Sequence, residues 1–110
     1  MTTTPTHLDH NGALLAAIRH RLGYSLTELA DVLNVHPRTL RAWIAERDPL
    51  PAGVLTELAD LLAEHDEDVA EALEAGEVVI PHESPMSGWW TAVAAEIVGS
   101  GADVAIIWEE

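Results

Sequence analysis

The sequence predicts a mainly α fold. Residues 11–76 read as a bundle of four to five helices, and residues 77–110 as a small strand-helix-strand module. The assembly is expected to be dimeric. Three observations predict this class. Leucine and isoleucine recur at helical spacing through the first 75 residues. Gly, Asn and Pro interrupt that pattern where helices end or begin. After Gly76 the pattern becomes β-branched, then helical and apolar, then β-branched again.

Each element has a local reason. Residues 1–10 (MTTTPTHLDH) read as a flexible leader. His7 and His10 have no third ligand at metal spacing, so no metal site is expected there. Asn11 can cap a helix, and Leu14, Leu15, Ile18 and Leu22 mark the first apolar stripe. Gly23 ends it. Ser25 with Glu28 three residues later makes a capping box for a second helix, striped by Leu26, Leu29, Ala30 and Leu33. Asn34 can adopt the left-handed conformation that ends a helix. Pro37, after His36, is pre-shaped to start a third helix, which buries Leu40, Trp43 and Ile44. Pro49 and Pro51 stop it.

Residues 52–75 carry Val54, Leu55, Leu58, Leu61, Leu62, Val69 and Leu73 on one side and carboxylates on the other. The polar run His65-Asp66-Glu67-Asp68 interrupts the stripe, and Asp66 could cap a separate helix. The pattern allows one helix or two. Glu77–Ile80 reads as a short strand. Ser84-Pro85 starts a further helix with Trp89, Val93 and Ile97 on one face. Residues 103–108 (DVAIIW) read as a strand apolar on both faces, which needs cover on both sides. A second subunit is the simplest cover. Trp89, Trp90, Val93, Val104, Ile106 and Trp108 are the residues expected at a dimer interface.

Composition bounds the function. At 110 residues, the length suits one compact domain or a small domain with an appendage. Apolar residues make up 48% of the chain, enough for a core, and there are no cysteines. The first residues lack a secretion signal, and the longest apolar run, Ala13–Ile18, is too short for a bilayer. A cytoplasmic protein is expected, without membrane association. Net charge is −14, unevenly spread. All five basic residues are arginines in the first half: Arg19, Arg21, Arg38, Arg41 and Arg47. From Pro51 to Glu110 there are 14 carboxylates and no cation.

The segment Ile18–Trp43 (IRHRLGYSLTELADVLNVHPRTLRAW) places two helices around a tight turn. It resembles the Cro/repressor-like (XRE) helix-turn-helix family over about residues 14–51. The resemblance rests on Arg-x-x-x-Gly-x-Ser, Glu-Leu-Ala, Leu-x-Val and Arg-Thr-Leu-x-x-Trp. It implies sequence-specific binding of double-stranded DNA, with the third helix in the major groove. Arg38 and Thr39 then project from that helix's first turn, and Ala42 one turn on can meet a thymine methyl. Arg41 and Arg47 suit phosphates. His36 and Pro37 shape the helix start, and the amides of Ser25 and Thr27 offer a phosphate site. The chain departs from the family at Leu26, where glutamine is common, and at Ile44-Ala45-Glu46, which replaces the usual Glu-Arg-Gly.

A second resemblance spans nearly the whole chain on fewer residues: Leu50-Pro51-Ala-Gly-Val54, Ala75-Gly-Glu, Gly88-Trp89 and Gly101-Ala-Asp-Val. These are similar to the anti-CRISPR-associated, YdiL-like helix-turn-helix regulators. That likeness implies a strand module joining two subunits of an autorepressor. The alternative is an acidic interaction module, antitoxin-like or DNA-mimicking, that binds a basic protein partner through residues 51–110. No serine lies in a nucleophile elbow, and there is no phosphate-binding glycine loop or metal cluster. No enzyme activity, catalytic residue, metal or cofactor is expected.

Overall fold

The computed structural model describes residues 11–83 and 86–110. Within them the order is α1 (Gly12–Leu22), α2 (Leu26–Val32), α3 (Pro37–Ile44), α4 (Ala52–Ala75), β1 (Glu77–Ile80), α5 (Met86–Gly99) and β2 (Ala105–Trp108). The predicted mainly α class holds, with a helix between two strands at the end. The leader, with His7 and His10, and the Ser84-Pro85 start signal lie outside the described residues.

The helix ends follow from the sequence with one exception. Gly23 closes α1 at φ 81°, its N–H donating to the carbonyls of Arg19 and His20. Asn34 turns the chain at φ 58°. The exception is Asn11. It occupies the N-cap position of α1 but makes no capping bond with its side chain. Glu46 takes the role instead: the Gly12 N–H donates to its Oε2 at 3.0 Å. Glu46 itself sits at φ 62°, the conformation usually left to glycine. The strained backbone aims a carboxylate at the positive end of α1.

α4 is one continuous helix of 24 residues. The polar run that interrupts its stripe does not break it, because tertiary partners absorb those side chains. His65 is fully buried. Its Nε2–H donates to the carbonyl of Trp89 at 3.2 Å, and its ring meets the Trp89 indole edge-on at 4.6 Å. Asp66 caps nothing; it accepts from Arg21 Nη2 at 2.7 Å. Asp68 accepts from Trp89 Nε1 at 2.8 Å.

Trp89 therefore fastens α5 to α4, and it also lies 5.7 Å from the Tyr24 ring, centroid to centroid. Two of the residues expected at a dimer interface lie inside the chain's own core. Trp89 is 5% exposed and Val93 0%, so both are spent in the chain's own core and cannot present a surface to a second subunit. One continuous core joins Leu15, Leu29, Leu40 and Leu58 to Val78, Val93 and Ile97. Gly76 ends α4 at φ 76°, where the sequence marks a boundary, yet the packing runs across it.

α5 reaches this position through a close backbone crossing. A Cβ on Gly88 would fall inside the van der Waals envelope of the Gly23 carbonyl oxygen, and the converse holds for Gly23. Two hydrogen-only α-carbons let the start of α5 lie on the α1–α2 turn.

β1 and β2 pair in parallel, with Val78 opposite Ile106 and Ile80 opposite Trp108. A parallel pair needs a crossover connection, which α5 supplies. Val78 and Ile80 are buried, but all four residues of β2 are exposed. Of the remaining predicted interface residues, Trp90 and Val104 are half-buried, while Ile106 and Trp108 are open. The His82 ring stacks on Trp108 at 5.0 Å.

His65 makes stability depend on pH. Burial outweighs the other influences and holds its pKa below the ordinary 6.5. The groups around it are Arg21, which opposes protonation, and Asp66 and Glu96, which favour it. Below pH 6.5 the unfolded chain binds a proton that the folded chain resists, so stability falls as pH drops from 6.5. Urea midpoints at pH 7.5 and pH 5.5 should differ more for the wild type than for His65→Gln. Equal differences would remove His65 from this account.

Candidate nucleic-acid interface

The α2–turn–α3 unit is shaped by local hydrogen bonds. The Ser25 hydroxyl accepts from the Glu28 N–H at 3.1 Å, and the Ser25 N–H donates to Glu28 Oε1 at 2.8 Å. Val35 N–H donates to the Ala30 carbonyl at 2.9 Å, folding the turn back on α2. His36 then caps α3: its Nδ1 accepts from the Arg38 N–H at 3.0 Å. With Nδ1 accepting, the neutral ring carries its proton on Nε2, a donor suited to a phosphate oxygen. Pro37 fills the first helical position.

α3 buries Leu40 and Trp43 and exposes Arg38 and Arg41. Thr39 is half-buried. Ala42 is 8% exposed, so only the edge of its methyl can reach a ligand. After α3 the chain folds back. The N–H groups of Arg47 and Asp48 both donate to the Ala42 carbonyl, at 2.9 and 3.4 Å. This brings Arg47 beside Arg38. Arg38, Thr39, Ala42, Arg47 and Asp48 line one open concavity of about 360 Å³. Five of the nine predicted DNA-binding residues are α3 residues in or beside this surface, with Arg47 on the loop and His36 at the helix cap.

The remaining two are placed differently. The Ser25 amide is used up by its own capping box, so it cannot also serve a phosphate. Thr27 is exposed but shares a shallow hollow with Glu28 and Asp31, whose carboxylates disfavour an anion.

The arginines divide into two groups. Arg19 Nη1 donates to the Tyr24 carbonyl at 2.8 Å. Arg21 pairs with Asp66 at 2.7 Å and with Glu96 at 3.3 Å. Both hold the fold together. Arg38, Arg41 and Arg47 are exposed and have no ion pair among the described residues. The free positive charge thus gathers on α3 and the loop after it.

Two contributors were missed by sequence reasoning. Asp48 joins the concavity only because of the fold-back onto Ala42. Glu46 supports α1 only through a contact 34 residues away. Only Pro49 signals that the helix must stop; Ala45 and Glu46 are helix formers and give no sign of the fold-back. Among the described residues, no group of three or more metal-ligating side chains comes together. Among them, no helix is long and apolar enough to cross a membrane.

A comparison with curated proteins returned no match. The family model for the helix-turn-helix family HTH_3 matches residues 15–73, more than half of the chain. The match starts in α1 and ends in α4, so it contains the whole α2–turn–α3 unit and its three free arginines. It implies DNA binding, in a family without catalytic activity. The chain belongs to this Cro/C1-type helix-turn-helix family.

Proposed function

We propose that the protein is a sequence-specific transcription regulator, a dimeric repressor of its own promoter that acts by occluding an inverted repeat. One observation carries the reading: the three arginines not used by the fold lie on α3 and its return loop. Arg38 and Thr39 read base edges, Ala42 touches a thymine methyl, and Arg41, Arg47 and His36 hold phosphates. Two copies join through β2, whose outer edge is unpaired among the described residues and carries Ile106, Ile107 and Trp108 at 38, 45 and 59% exposure. Pairing covers that edge and presents two α3 helices to successive major grooves. The mechanism needs no cofactor, and it places the protein in the cytoplasm.

Selection of bound sequences from a random duplex pool tests the reading. An inverted repeat with half-sites about 10 base pairs apart is expected. Enrichment of a single, non-repeated site would overturn the dimer, and no enrichment would overturn specific DNA binding.

A second reading has its own support. Asp68, Glu71, Glu77 and Glu109 surround Trp90 in a cavity of about 320 Å³ that no cation lines. An acidic, aromatic hollow of this kind suits the arginine or lysine of a basic protein partner. Recovery of one stoichiometric basic protein with the purified chain, lost on Trp90→Ala, would favour it.

A further inference from the structure

The concavity on α3 contains a carboxylate, and a surface that only had to grip phosphates would have no use for one. Asp48 is exposed, lines the same hollow as Arg38, Thr39, Ala42 and Arg47, and has no ion pair or side-chain hydrogen bond among the described residues. Neither neighbouring arginine neutralises it. Its position is fixed from both sides: its N–H donates to the Ala42 carbonyl, and Pro49 follows with a restricted φ. We propose that Asp48 is a specificity-determining residue that accepts a hydrogen bond from the N4 amino group of a cytosine, next to the guanine read by Arg38. The proposal rests on α3 being the base-reading helix.

The chemistry selects cytosine. In the major groove guanine offers only acceptors, N7 and O6, which suit a guanidinium, while its partner cytosine offers a donor, N4. An arginine and a carboxylate side by side therefore match a guanine and a cytosine in neighbouring base pairs. Thymine presents an acceptor to Asp48 and repels it. Adenine has an amino donor, but its N7 lone pair lies beside that donor and opposes the second carboxylate oxygen. A phosphate repels the group outright. Asp48 thus weakens binding to most sequences and is compensated at one. This fits a surface with few cations, because discrimination here comes as much from rejection as from attraction.

The test uses the full chain and the variants Asp48→Ala and Asp48→Asn. Binding sites are selected from random duplexes, and affinities are measured on the wild-type site and on an unrelated duplex. For Asp48→Ala, the preference for cytosine at one position next to a guanine should fall on the order of tenfold. The guanine preference should remain, and the unrelated duplex should bind several-fold tighter. Asp48→Asn, which keeps an acceptor oxygen, should lose less of the cytosine preference. An unchanged consensus, or an equal change on both duplexes, overturns the proposal and leaves α3 as the reading helix. Failure of the wild type to enrich any sequence overturns both, so the two failures are distinguishable. Melting temperatures of both variants should match the wild type, since the side chain is exposed and unbonded. A fall that tracks the loss of binding would make Asp48 a structural residue and overturn its reading role.

Discussion

Arg38→Ala is expected to lower the preference for each operator half-site over unrelated DNA by roughly 5- to 150-fold, equivalent to about 1–3 kcal/mol for one bidentate guanine contact. Arg38 is exposed on the first turn of α3, its own N–H is satisfied by His36, and its guanidinium has no ion pair among the described residues. Nothing in the fold uses the side chain, so the variant should melt like the wild type. Arg21→Ala is the matching control. It removes the pairs with Asp66 and Glu96, all three side chains being at least 35% exposed, and should cost no more than about 1 kcal/mol of stability. DNA binding should be unaffected. Competition binding with both variants checks the pair of outcomes. A loss of discrimination on Arg21→Ala equal to that on Arg38→Ala would show that the charge sum, and not the α3 face, governs recognition.

Gly88→Ala should be strongly destabilising for so small a substitution. The added methyl group meets the backbone of Gly23, which cannot rotate away as a side chain would. Either α5 lifts from the α1–α2 turn or the turn deforms. Overpacking of this kind costs about 3 kcal/mol, a drop in Tm of more than about 10 °C for a domain of this size. Lifting α5 would also strain the Trp89 bonds to His65 and Asp68. Gly53→Ala is the control, because no atom lies within 4 Å of its Cβ position and α4 should gain slightly from alanine. Thermal melts of both variants decide the matter. Equal melting of Gly88→Ala and wild type would mean that the crossing is looser than described.

The sequence was most legible where structure is decided locally. The Ser25–Glu28 capping box, the left-handed Asn34, the Pro37 start and the Gly23 stop are all short-range chemistry, and each appears as read. What the sequence could not display is what distant residues do for one another. The polar stretch around His65 looks like a helix break because its partners, Trp89 and Arg21, lie 24 and 45 residues away from the groups they hold. Trp89 and Val93 read equally well as core or interface, since an apolar helix face does not say what it will meet. The return loop after Trp43 was hidden for the same reason: Glu46 accepts a left-handed backbone because of Gly12.

The charge split also changes meaning. Of five arginines, two are structural and three are free, and the free ones lie together. On the proposed reading, a chain of net charge −14 meets DNA through this small positive face. Loose binding to arbitrary DNA should be poor, and binding to the right site should depend on few phosphates.

The most direct measurement is the salt dependence of binding to duplex DNA from the protein's own promoter. Three free arginines in each of two subunits set a limit of about −5 for the slope of log K against log salt. The account predicts a saturable complex of two chains per site with a slope no steeper than that limit. A slope well beyond it, or no saturable complex even at low salt, would contradict it.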